Sequence, residues 1–77
     1  MITPAEIEGL IRAGIPDARV EARDMTGTGD HFEITVFSKS FKGRPLIEQH
    51  KAVFATLEQE MDKRIHAVQL KTSSAGQ

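Results

Sequence analysis

Residues 32–37 constrain the fold most tightly. Phe32, Ile34 and Val36 alternate there with Glu33, Thr35 and Phe37. Side chains two apart share one face of a strand, so this β-branched and aromatic run predicts a strand with an apolar face to bury. The alternation recurs over 18–23, with Ala18, Val20 and Ala22 set against Arg19, Glu21 and Arg23. A partner strand with one wet face is expected. Residues 24–31 between them (Asp-Met-Thr-Gly-Thr-Gly-Asp-His) are polar and glycine-rich. That is a turn composition, and the pair is expected to form a hairpin.

Helices must cover the apolar face. Thr3-Pro4-Ala5-Glu6 reads as a helix start, with Thr3 as N-cap, Pro4 at the first helical position and Glu6 completing a capping box. Ile7, Leu10 and Ile11 make its stripe, and Gly14 and Pro16 stop it near Ala13. After the irregular run 38–45, Pro45 opens the longest helical pattern, with the stripe Leu46, His50, Val53, Phe54, Leu57 and Met61. This helix is expected to run to about Lys63, where Lys63-Arg64 suits its C-terminal dipole. Residues 65–70 resume a strand-like alternation. The plan is α+β in the order α-β-β-α-β, with helices on one face of a three-stranded sheet and the other face open. The domain is assigned to residues 1–72, and 73–77 read as a flexible tail.

Composition narrows the function. A chain of 77 residues that is 39% hydrophobic and 27% charged is expected to make one small domain, too thin for a deep enclosed site. With zero cysteines it has no disulfide, no thiolate nucleophile and no metal centre built on its own sulfur. No run approaches the ~20 apolar residues that span a bilayer, and the first ten residues do not read as an export signal. A cytoplasmic protein with no membrane partner is expected. Residues 1–37 carry a net −4 and residues 38–77 a net +3. Such a surplus either attracts an acidic partner or merely solvates a surface.

The chemistry-bearing residues are few. Ser38 and Ser40, the internal serines, lie in a turn without a nucleophile elbow, so no enzyme and no small-molecule substrate are expected. Gly27-Thr28-Gly29 leads into a strand rather than a helix and lacks the context of a phosphate loop. Imidazole binds iron or zinc through either nitrogen, which leaves the three histidines as the informative residues. His50 falls on the apolar stripe of the long helix, where a partly buried, hydrogen-bonded ring is expected. His31 ends the glycine loop. His66 opens the third strand, either presenting a ring nitrogen at the end of the sheet or filling its rim. Two histidines do not complete a tetrahedral site, so a metal role needs ligands from another molecule.

The run Thr28-Gly29-Asp30-His31-Phe32-Glu33-Ile34, then Phe41-Lys42-Gly43, Gln49-His50-Lys51 and Ile65-His66-Ala67-Val68 resembles the BolA family in order and spacing. The resemblance covers residues 4–72 and implies a fold similar to class II KH domains. It also implies pairing with a monothiol glutaredoxin and a shared [2Fe-2S] cluster, in iron sensing or in cluster assembly and delivery, with no cluster held by this chain alone. By position His66 matches the family's metal-binding histidine. The second ligand, a Cys or His of the loop in the family, falls on His31, and Thr28 stands where some members carry Cys. Because imidazole binds metal in its neutral form, assembly is expected to weaken on acidification. The alternative implied by the resemblance is a KH-like regulator that binds DNA, with Lys39, Lys42, Arg44 and Lys51 as its basic patch. Against it, Gly43-Arg44-Pro45-Leu46 lacks the second glycine of a GXXG clamp.

Overall fold

The alternating run forms the middle of the sheet. In the computed structural model, which describes residues 2–27, 31–61 and 63–74, the elements are α1 (Pro4–Gly14), β1 (Arg19–Asp24), β2 (His31–Phe37), a 3-10 turn (Lys39–Phe41), α2 (Leu46–Leu57) and β3 (Ala67–Ser73). The strand order is β1-β2-β3. β1 pairs antiparallel with β2, Val20 opposite Val36 and Ala22 opposite Ile34. β3 pairs parallel with β2, Phe32 opposite Val68 and Ile34 opposite Leu70. A parallel pair needs a crossover, and the stretch carrying α2 supplies it. The expected α-β-β-α-β order is the one observed.

One face of this sheet is dry. Phe32, Ile34 and Val36 are fully buried with Ile7 and Ile11 of α1 and Val53 and Leu57 of α2. The capping box forms as expected: the Glu6 backbone N–H donates to Thr3 Oγ1 at 3.2 Å, and the Thr3 N–H donates to the Glu6 carboxylate at 3.2 Å. The other sheet face carries charge, including Arg23 paired with Glu33 at 2.8 Å.

Four boundaries differ from the sequence reading. Pro45 stands outside α2 as its N-cap residue, and Leu46 is 60% exposed instead of in the core. Phe41, from the 3-10 turn, is buried and belongs to the core cluster in its stead. α2 stops at Leu57, well before Lys63, because Ile65 must turn back into the core, where it is fully buried. The Glu60 carbonyl accepts the N–H groups of Lys63, Arg64 and Ile65 in the resulting turn. Ile65 makes an isolated bridge with Met61, so β3 begins only at Ala67. Ser73, read as tail, is the last residue of β3, and its carbonyl accepts from the Ser38 N–H at 3.0 Å. Of the predicted tail, Ala75, Gly76 and Gln77 lie outside the described residues.

Candidate metal centre

The parallel pairing of β2 with β3 sets their N-terminal ends side by side. His31, the first residue of β2, is in register with Ala67, the first of β3, and His66 immediately precedes it. The two imidazoles, 35 positions apart in sequence, stack with ring centres 6.4 Å apart and planes 19° from parallel. His31 is half-buried and His66 exposed, so the pair lies at the rim of the sheet.

Local chemistry sets each backbone. On the His31 side, Asp24 Oδ1 accepts the N–H groups of Thr26 at 3.2 Å and Gly27 at 2.9 Å, and the Met25 N–H donates to the His31 carbonyl at 2.9 Å. Gly27 sits at φ 76°, in the left-handed region that favours glycine. Thr28, Gly29 and Asp30 of the loop motif lie outside the described residues. On the His66 side, Ile65 is the core anchor, and Arg64 grips Glu60 through Nε at 2.7 Å and Nη2 at 3.0 Å. Arg64 Nη1 also donates to Glu6 of α1 at 3.2 Å. The Arg64 guanidinium holds the Glu60 carboxyl below the usual carboxylate range, and the two carboxylates hold Arg64 more firmly protonated.

Two imidazoles suit iron or zinc as donors. With nitrogen–metal distances of about 2.0–2.1 Å, two rings on one ion hold their centres roughly 5 Å apart. The observed 6.4 Å therefore needs a closing of roughly 1 Å, which takes a change in χ1, while χ2 turns each ring about its own axis to aim a nitrogen. Among the described residues no group of three or more His, Cys, Asp and Glu side chains is placed to hold a metal. Two ring nitrogens by themselves leave a bound metal with open coordination positions. Beside the His31 ring lies a shallow, mostly apolar depression of about 190 Å³, lined by Met25, Thr26, His31, Phe32, Ala67 and Val68 with Gln69. It is of a size to seat one apolar side chain next to the His31 imidazole.

The remaining sequence candidates lie elsewhere. His50 is half-buried on α2 and lines a separate groove with Ile47, Phe54 and Met61. Lys39, Lys42, Arg44 and Lys51 are all exposed around the 3-10 turn and the start of α2, and none is in an ion pair among the described residues. Ser38 has a structural partner that the sequence reading missed. Its buried hydroxyl donates to Asp17 Oδ1 at 2.7 Å, and the Lys39 N–H donates to Asp17 Oδ2 at 3.0 Å. The Arg64 clamp was half legible: Glu60 and Arg64 stand four apart, but Glu6 is 58 positions away.

A family model described as "BolA-like protein" matches residues 15–77. The chain is 36% identical to "Protein BOLA2" of Arabidopsis thaliana over 78 residues, covering 100% of this chain and 83% of that one. It is 27% identical to the "DNA-binding transcriptional regulator BolA" of Escherichia coli, covering 94% of this chain and 75% of the relative. Its fold is similar to that of a bolA protein homologue from Coxiella burnetii, with a TM-score of 0.81 at 34% identity, over 95% of this chain and 91% of the other. With a family model matching most of its length, a relative 36% identical over the whole chain and a shared fold, this chain belongs to the BolA family.

Proposed function

We infer that this protein is the partner of a monothiol glutaredoxin and that His66, with His31, completes the coordination of an iron in a shared [2Fe-2S] cluster, in iron sensing or cluster assembly and delivery. The observation that carries this reading is the juxtaposition of the two imidazoles at 6.4 Å. His31 and His66 are nitrogen donors and the chain has no cysteine, so the partner must supply the thiolates. Imidazole in place of thiolate lowers the negative charge of such a cluster and raises its potential, which gives the mixed complex a spectrum distinct from that of the glutaredoxin alone. The chain's own work is to orient the two rings, to offer the apolar depression beside His31 and to keep one face of its sheet packed. No proton transfer or bond cleavage is assigned to it.

The test mixes the protein with a cluster-loaded monothiol glutaredoxin and follows visible absorption and circular dichroism. Wild type is expected to form a heterodimer and change the spectrum. His66→Ala is expected to abolish the change and His31→Ala to weaken it. Spectra unchanged by wild type would remove the ligand reading. The second reading, DNA binding, is favoured by the similarity to the DNA-binding transcriptional regulator BolA of Escherichia coli and by the four exposed cations.

A further inference from the structure

We propose that Arg64 is a positioning residue for His66, clamping the turn before β3 to α1 so that the two imidazoles face each other before a metal arrives. The proposal rests on the reading of His66 as a ligand and adds the means by which the chain aims it. His66 is exposed, and among the described residues its side chain makes no hydrogen bond, only the ring contact with His31. Its direction is therefore inherited from the backbone before it. That backbone is a bare turn, outside α2 and outside β3. Three N–H groups converge on the Glu60 carbonyl, from Lys63 at 3.1 Å, Arg64 at 3.0 Å and Ile65 at 3.1 Å. Beyond His66 the β3 ladder starts at Ala67, but on the near side only this shared acceptor and the isolated bridge of Ile65 with Met61 lead into the histidine.

Two side chains supply what the backbone lacks. Ile65 fixes one side by complete burial. Arg64 fixes the other with a two-pronged grip on Glu60 at 2.7 and 3.0 Å and a third bond to Glu6 at 3.2 Å. The planar guanidinium holds both carboxylates in set directions, which a point charge cannot do. Glu6 is itself held at the head of α1 by the capping box with Thr3. A chain of contacts thus runs from the first helix through Arg64 to the histidine two residues on.

Partly exposed ion pairs contribute little to overall stability, and the Arg64 side chain is 39% exposed. The signature of a clamp is then a loss of ring orientation with a small change in Tm. The experiment compares wild type, Arg64→Ala, Arg64→Lys, Glu60→Gln and His66→Ala on the full chain. The first readout is the ring-proton contact between His31 and His66 in the free protein by NMR, which involves no metal. The second is titration with cluster-loaded monothiol glutaredoxin by visible circular dichroism. In Arg64→Ala the ring contact should disappear and the apparent affinity fall about tenfold, the low end for residues that orient metal ligands. Arg64→Lys should fall between Ala and wild type. An Arg64→Ala protein that keeps the ring contact and titrates within about twofold of wild type overturns the proposal. If His66→Ala titrates like wild type the ligand reading fails separately, and the ring contact still judges the clamp. Should Arg64→Ala not fold, Glu60→Gln carries the test, with a weakened contact in favour and an unchanged one against.

Discussion

Asp17 and Ser38 illustrate how a single side chain ties two loops. Ser38 Oγ gives its one proton to Asp17, so the hydroxyl of Ser40, 2.6 Å from Ser38 Oγ, is the donor in that pair. The Ser38 hydroxyl, opposed by some desolvation and helped by the N–H groups of Lys39 and Ser40, holds the Asp17 carboxyl below its ordinary value. A carboxyl lowered in the folded state contributes stability above its unfolded value of about 3.9, and that contribution disappears as pH falls through the folded value. Asp17→Asn is therefore expected to lower Tm at neutral pH, with the gap from wild type closing below about pH 4. Melting both proteins across that range checks it, and a gap independent of pH would contradict the assignment. The histidines show the limit of reading at this scale. Each was visible as a candidate, but nothing near His31 in sequence says that His66 is its neighbour.

At the scale of elements, the close approach of the two helices rests on Gly14. A Cβ there would meet Thr56 Cγ2 at 2.6 Å, and Thr56 is held in place by its own Oγ1 donating to the Val53 carbonyl at 2.6 Å. Overpacking of this kind costs about 1–3 kcal/mol, against a gain of roughly 0.5–1 kcal/mol for Ala over Gly in a helix. Gly14→Ala should thus destabilise by about 1 kcal/mol in urea unfolding. In a Thr56→Ala background the same change should become neutral or stabilising; a loss that persists there would place the strain elsewhere. The start of α1 was legible because caps are local: Thr3, Pro4 and Glu6 act within one turn. The end of α2 was not, because Met61 keeps the apolar period while no glycine or proline marks the stop. What ends it is the burial of Ile65, a demand made by the core rather than by the neighbours of Leu57.

Charge belongs to the whole molecule. The net charge of −1 hides an uneven distribution, and Lys39, Lys42, Arg44 and Lys51 gather where the 3-10 turn meets α2. If this patch binds DNA, retention should be weak and steeply salt-dependent, since phosphate contacts dominate such binding. Lys42→Glu with Arg44→Glu should then abolish retention at low salt while leaving the glutaredoxin titration unchanged. Absence of any retention by wild type at low salt would eliminate the DNA reading, and loss of both activities together would point to damage rather than to a separate surface.

The sequence by itself determined the element types and their order, the dry face of β2 and the capping of α1. These follow from periods of two and 3.6 residues and from bonds made within one turn, all of which are local. Only the tertiary structure decided that β3 lies parallel to β2 with Ala67 opposite His31, which helix residues reach the core, and that Glu6 meets Arg64. The physical reason is that strand pairing and side-chain clamps join positions tens of residues apart. Their partners are chosen by how the buried faces of Phe32, Ile34, Ile65 and the two helices fit together, and the histidine pair is a consequence of that packing.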